Sequence, residues 1–325
     1  MHQPNSKNPN LSKTVQEFID KLSQKDTKPL YEMSPEQARN FLEDIQTAND
    51  IDIDIEADIQ DKTIPTRDAG NVEVRIVRPQ DCKETLPAII YLHGGGWIMG
   101  SEQTHDTLIK KLAKQSKSAV FFVKFTLSPK AHYPIALDES YGVLEYIAEH
   151  PEEFNIDQTR IAIAGDSAGG NMAAVIARKT KKNGGPELKF QALFYPVTDL
   201  NMESSSYESF KNGPWLSKKA MEWFINAYAP DKKLRNNPNL SPIKSEIKDL
   251  KTLAPALIIT AENDVLRDEG EYYAQKLTQA GVDVTSVRIN GTIHDFMVLN
   301  ALQNSSQTKS AFILACKILK KALHK

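Results

Sequence analysis

The apolar positions change period along the chain. Leu11, Val15, Phe18, Ile19 and Leu22 fall on one face of a helix. Ser34-Pro35-Glu36-Gln37 announces a second, with an N-cap serine, a proline in the first turn and a glutamine placed to reach back, followed by Ala38, Phe41, Leu42 and Ile45. Residues 49–60 then alternate isoleucine with acid and read as a half-exposed edge strand. An antiparallel neighbour at 72–78 follows the Asp68-Ala69-Gly70-Asn71 turn. From Pro87 onward, apolar strands at 88–92, 119–123 and 161–164 alternate with helical stretches at 108–112, 137–147 and 171–179. Further strands are predicted at 192–195, 256–260 and 282–289, with a closing helix at 311–323. This alternation predicts an α/β protein whose parallel sheet is wound with right-handed crossovers.

One connection breaks the rhythm. Residues 202–251 are too many for an ordinary loop and carry Tyr207, Phe210, Trp215, Trp223, Phe224 and Tyr228. In open α/β sheets the ligand site lies beyond the carboxyl ends of the strands, where this insertion must emerge. It reads as a lid, with Ser217 capping a helix, and about half of its aromatics are expected to form only a satellite core. The two leading helices must also bury their apolar faces, and covering the same site is one way to do so. The division expected is 1–48 for N-terminal helices contributing to a cap, 49–201 for the first part of the core, 202–251 for the insertion and 252–325 for the rest of the core.

Composition narrows the function classes. The 325 residues suit one large α/β domain with a small accessory piece, and nothing marks a linker between equals. Charges nearly cancel at a net of −2 and no basic stripe interleaves with aromatics, which argues against a nucleic-acid partner. Lys179, Lys181 and Lys182 read as a solvated, glycine-containing turn. The polar start MHQPNSKNPN lacks the apolar core of a secretory signal, and no run approaches the ~18 apolar residues of a membrane span, so a cytoplasmic protein is expected. Cys82 and Cys316 are too few and too far apart for a metal site or a disulfide framework, and read as reduced structural thiols. Asp50, Asp52 and Asp54 invite a calcium-loop reading, but glycine and glutamate are required where the chain has Ile55 and Asp61.

The candidate chemistry begins at 161–170, where four apolar residues run into Gly165-Asp166-Ser167-Ala168-Gly169-Gly170. With a buried strand before and a helix after, Ser167 sits on a sharp turn, a nucleophile elbow. Gly165 and Gly169 stand where a Cβ would clash with the neighbouring strand or helix. The amide of Ala168, at the helix start, is placed to donate to a developing negative oxygen. The competing reading of this stretch alone is a glycine-rich turn with a solvated serine, as nucleotide-binding folds have.

The second stretch is His93-Gly94-Gly95-Gly96-Trp97, directly after the strand at 88–92. Three consecutive glycines demand a path closed to a Cβ or amides aimed into a site. If Gly95 and Gly96 point at the space above Ser167, they and Ala168 form an oxyanion hole, each donor worth roughly 3 to 4 kcal/mol to the transition state. A phosphate-binding turn is the alternative, unsupported by any accompanying lysine-serine or GxGxxG pattern. His93 reads as structural, holding its loop through ring hydrogen bonds. Behind a nucleophile elbow the order is serine, acid, histidine, and only His294 and His324 follow Ser167; His324, penultimate in a terminal helix, is set aside. Asp264, just beyond the 256–260 strand, is the favoured acid, with Asp199 as runner-up. Asp268 and Glu269 read as the start of the next helix, and Asp295 as pointing elsewhere while raising the histidine pKa slightly.

HGGGW at 93–97, GDSAGGN at 165–171, the DxLRDEG pattern at 264–270 and the late His294-Asp295-Phe296 resemble the hormone-sensitive-lipase-like family of α/β-hydrolases, over about 72–300. The resemblance implies an eight-stranded mixed sheet, a cap made by the N-terminal helices and the insertion, and hydrolysis of short- to medium-chain acyl esters without a cofactor or metal. Ser167, Asp264 and His294 are then the catalytic residues, Gly95, Gly96 and Ala168 the oxyanion hole, and Trp97, Phe210 and Trp215 candidate substrate contacts. Two departures stand out. Phe125-Thr126-Leu127-Ser128-Pro129 replaces the family's tyrosine-arginine-leucine-alanine-proline, and Val265 replaces a proline. Amidase or deacetylase chemistry, as in an aryl-formamide hydrolase, would use the same residues, and a non-catalytic small-molecule receptor is the rival of another class. The 282–289 edge strand offers a surface for a homodimer.

Overall fold

The computed structural model describes residues 10–25, 27–47 and 55–324. Its eight strands are β1 (Ala57–Thr66), β2 (Gly70–Pro79), β3 (Leu86–Leu92), β4 (Ala119–Lys124), β5 (Ile156–Asp166), β6 (Phe190–Phe194), β7 (Ala256–Asn263) and β8 (Val284–Ile293). They form one sheet in the order β1-β2-β4-β3-β5-β6-β7-β8. The β1–β2 and β2–β4 pairs are antiparallel and the remaining five are parallel. The chain steps outward from β3 to β4, then crosses back over β3 to β5. The loops after β3 and β5 therefore diverge at a topological switch point, and a crevice opens between them at the carboxyl ends.

The central strands are apolar on both faces. In β3, Ala88, Ile90 and Leu92 face one core and Ile89 and Tyr91 the other, which is why the strand reads as a continuous apolar run. Helices α4 (Ile135–Glu149), α5 (Ser167–Asn183) and α9 (Arg267–Gln279) cover the first face, while α3 (Asp106–Ser116) and α10 (Ser306–Leu323) cover the second. The edge strand differs from its sequence reading. Residues 49–54 lie outside the described residues, and the strand seen runs on to Thr66, registered on β2 by Ile64 opposite Val72 and by a two-pronged Arg75–Asp61 ion pair at 2.9 and 2.7 Å. The lysines at 179, 181 and 182 are also not a loop. They form the last turns of α5, which Gly184 closes in the left-handed region at φ +66°, and Lys179 pairs with Asp138 at 2.7 Å.

Before the sheet, α1 (Lys13–Ser23) and α2 (Pro35–Thr47) lie over its carboxyl end. The start of α2 has its capping box: Ser34 N donates to Gln37 Oε1 at 2.9 Å and Gln37 N to Ser34 Oγ at 3.2 Å. The 202–251 insertion holds α6 (Ser205–Ser209), α7 (Lys218–Tyr228) and α8 (Ile247–Leu250), with Ser217 Oγ capping α7 by accepting from Ala220 N at 3.2 Å. The three pieces meet at Trp215, whose ring centroid lies 5.7 Å from Phe18 of α1 and 6.5 Å from Phe41 of α2. The carboxyl end of edge strand β8 is met by the segment before α1, Ser12 N donating to Gly291 O at 2.9 Å. No helix among the described residues is long and apolar enough to cross a membrane.

Candidate active site

The apolar run of β5 ends at Asp166, and the chain turns into α5 through Ser167 at φ +51°. That conformation is rare for a residue with a Cβ, and it survives because the packing around it is close. A Cβ on Gly169 would fall on the carbonyls of Leu92 and His93, so helix and strand approach to the distance only glycine allows. The turn presents Ser167 Oγ at 2.9 Å from His294 Nε2, and His294 Nδ1 lies 2.7 Å from Asp264 Oδ2. All three side chains are buried, Asp264 on the loop after β7 and His294 just beyond β8. The second carboxylate oxygen of Asp264 accepts from Leu266 N at 3.0 Å, which fixes its plane. Asp199 is elsewhere, paired with Lys244 at 2.9 Å and bonded to Asn201.

Gly95 and Gly96, at φ +99° and +61°, line the same cleft as Ser167, and Ala168 N stands in the first turn of α5, where backbone donors have no partner within the helix. A Cβ on Gly96 would collide with the ring of Phe224 from α7, so the inserted segment presses directly on the glycine loop. What holds that loop is Asp166, a motif residue to which the sequence reading gives no task. Its Oδ1 accepts from Tyr91 Oη at 2.6 Å and from Gly94 N at 3.0 Å, and His105 Nε2 stands 3.4 Å from its other oxygen. Burial works to raise the Asp166 carboxyl, but the facing His105 and the Tyr91 hydroxyl outweigh it and hold it below the usual range. The available signal was a carboxylate closing an otherwise apolar buried strand.

The two histidines nearest the chemistry are opposites. His93 stacks on Phe125 at 4.2 Å and on Phe122 at 5.0 Å, and its Nδ1–H donates to Gly94 O at 2.8 Å. Burial, with His105 beside it, pushes its pKa down to about 4, so it is neutral and structural. At His294 burial also works against the charge, but the carboxylates of Asp264 and Asp295 overcome it and hold the ring up to about 9.

Asp295 thus departs from its sequence reading. It does not point elsewhere: at φ +61°, its Oδ1 comes within 3.3 Å of His294 Nε2, while Oδ2 accepts from Trp215 Nε1 at 2.9 Å. Of the three aromatics expected at the substrate, only Trp215 lines the cleft. Trp97 is buried against Tyr228, centroids 4.3 Å apart, and Phe210 packs under the Arg267 guanidinium at 5.3 Å. Leu30, Leu42, Leu216, Met221, Phe224 and Val298 supply most of the apolar wall instead. Where the family arginine is absent, Thr126 N and Oγ1 donate to buried Glu139 at 2.6 and 2.7 Å, and Arg39 from α2 donates to Ile98 O at 2.7 Å and Ser128 O at 3.1 Å. Among the described residues no cluster of histidine, cysteine or acidic side chains is arranged to hold a metal, and Cys82 and Cys316 are free thiols.

Fold and site together place the protein among the α/β hydrolases. A family model described as alpha/beta hydrolase fold matches residues 89–298. A carboxylesterase of Mycobacterium tuberculosis, NlhH, is 34% identical over 82% of this chain and 83% of its own length, and an ethyl acetate hydrolase of Pseudomonas putida 33% identical over 91% and 94%. The crystal structure of a thermostable esterase from Pseudomonas putida ECU1011 superposes with a TM-score of 0.95 at 42% identity, covering 98% of this chain and 99% of that one. The chain belongs to the hormone-sensitive-lipase-like family of α/β hydrolases.

Proposed function

We propose that the protein is a serine carboxylesterase acting on short- to medium-chain acyl esters through an acyl-enzyme. The observation that carries this reading is the unbroken contact from Ser167 Oγ through the His294 ring to Asp264, 2.9 and 2.7 Å, at the mouth of a partly apolar cleft. Neutral His294 takes the Ser167 proton on Nε2 as Oγ attacks the ester carbonyl, and Asp264 holds the Nδ1–H tautomer and stabilises the imidazolium. The amides of Gly95, Gly96 and Ala168 receive the oxyanion. His294 then returns the proton to the leaving alcohol, and a water molecule repeats the sequence on the acyl-serine, releasing the acid. Esterase relatives and structural neighbours support the ester as substrate, and the ring of Phe224 against Gly96 supports a short acyl group.

The test is hydrolysis of nitrophenyl esters from acetyl to palmitoyl, with Ser167→Ala prepared in parallel. Cleavage that is fastest for short chains and absent from the variant is the expected result. A folded protein that binds an active-site phosphonate on Ser167 yet cleaves none of these esters overturns the ester reading in favour of aryl amides and formamides. One that leaves Ser167 unlabelled is a receptor.

A further inference from the structure

His294 faces two carboxylates, and only one has been given a role. Oδ1 of Asp295 and Oγ of Ser167 approach the same ring nitrogen, at 3.3 and 2.9 Å from Nε2. Asp295 is held there from both sides. Its carbonyl accepts from Val298 N and Leu299 N at 2.8 and 2.9 Å, and its Oδ2 accepts from the indole N–H of Trp215 at 2.9 Å. Trp215 is itself wedged between Phe18 and Phe41 of the two leading helices, so the position of the carboxylate depends on the cap. The other groups facing the ring are Asp264 after β7, Asp166 at the end of β5 with His105 beyond it, and the edge-on Tyr195 after β6, 4.9 Å between centroids. No lysine or arginine is among the described residues lining the cleft, and His105 on its wall faces Asp166, so His294 is the cation that Asp295 faces.

We propose that Asp295 is a second carboxylate partner of the base, competing with Ser167 for the Nε2 proton of His294, and that Trp215 of the inserted segment holds it in that position. This rests on the reading of His294 as the base for Ser167. In the resting imidazolium, Nδ1–H is given to Asp264 and Nε2–H is shared between Ser167 Oγ and Asp295, so no lone pair is available to take the serine proton. Raising the pH removes the Nε2 proton and frees the base. When Ser167 attacks and its proton moves to Nε2, the same carboxylate faces the new imidazolium and stabilises it. Asp295 therefore delays the onset of activity with pH and supports the rate once activity has begun. It is a positioning residue: it acts through His294 and is itself held by Trp215.

The experiment is the rate of phosphonate labelling of Ser167, read by mass spectrometry from pH 5 to pH 10, which needs no ester turnover. In the wild type the rate is expected to rise with pH to a plateau through a midpoint of about 9. Asp295→Asn keeps a side chain that tolerates the left-handed backbone, and should move the midpoint down by about one unit or more while lowering the plateau. Trp215→Phe, which removes the indole donor while keeping an aromatic ring between Phe18 and Phe41, should move it the same way by less. A merely structural role would lower the rate at every pH and leave the midpoint in place, and a midpoint unmoved in both variants overturns the proposal. A wild type that takes no phosphonate at any pH overturns the nucleophile assignment itself, and the role of Asp295 falls with it.

Discussion

The strand-end part of the cleft and its cap are built on different terms. At the strand ends, a few polar atoms are each fixed by another: Ser167 by His294, His294 by Asp264, Asp264 by Leu266 N, and Gly94 N by an Asp166 that Tyr91 holds in turn. The cap is mostly apolar surface laid against apolar surface, Trp215 between Phe18 and Phe41 and Phe224 over Gly96, with a few polar stitches across the seam. Gln46 is one, donating from α2 to Val298 O at 2.9 Å. Proton transfer needs positions fixed to fractions of an ångström, whereas excluding water and bounding an acyl group need only shape. The two regions should therefore fail differently when changed.

The largest effect belongs to the strand ends. Ser167→Ala should lower kcat by about a million-fold and Asp264→Asn by about ten-thousand-fold, both with near-normal unfolding curves. Asp199→Asn, remote from the ring, should stay within a few-fold. Steady-state hydrolysis of nitrophenyl acetate decides the acid: a collapse in the Asp199 variant with activity surviving in Asp264→Asn would reverse the assignment. Next comes the support of the glycine loop. A Cβ on Gly94 would run into the Asp166 carboxylate and the Ser167 Cβ, so Gly94→Ala should cost roughly a hundred- to a thousand-fold in kcat through misplaced oxyanion donors, with a lower Tm.

That difference also sets what could be read from the chain. The fixed polar atoms need particular residue types at particular spacings, so 93–97, 165–171, Asp264 and His294 stand out, and the elements carrying them follow from apolar periodicity. A cap residue needs only to be apolar and of suitable size. The cap aromatics Phe210 and Trp215, and Trp97 at the end of the glycine loop, therefore looked equivalent in sequence, yet Trp97 is core, Phe210 packs under an arginine and Trp215 reaches the site. Contacts across distant segments were equally hidden. Asp295 looked like a neighbour of the base turned away from it, because its direction depends on a left-handed backbone and on a tryptophan eighty residues earlier. The lysines at the end of α5 misled for a local reason: Gly184 and Gly185 suggested a turn, but glycine at that place closes a helix.

A smaller effect sharpens the comparison at the seam. Phe224→Ala should open space beside Gly96 and raise the ratio of kcat/KM for longer over acetyl esters by roughly ten- to a hundred-fold, while kcat on acetate changes by less than about ten-fold. A loss on acetate as deep as that of Gly94→Ala would mean that the cap is part of the machinery rather than its wall.

The smallest predicted effect is at Arg39, where the two regions are tied by charge. Its guanidinium leaves α2 and donates to Ile98 O on the glycine loop and to Ser128 O on the loop after β4. Thr126 spends its own donors on Glu139, and these two carbonyls are served from the cap side. Arg39→Met keeps much of the apolar stem and removes both bonds. Because the side chain is half-buried, water replaces part of what is lost, and the stability cost should be about 1 to 2 kcal/mol, below that of a fully buried charged donor. The cap should loosen before the sheet does. The expected signature is faster proteolysis within residues 10–47 and a KM raised several-fold with kcat changed less, since the Ser167–His294–Asp264 contacts do not pass through α2. A fall in kcat at constant KM would show instead that Arg39 positions the oxyanion loop from above, and that the boundary between cap and strand ends runs through Ile98.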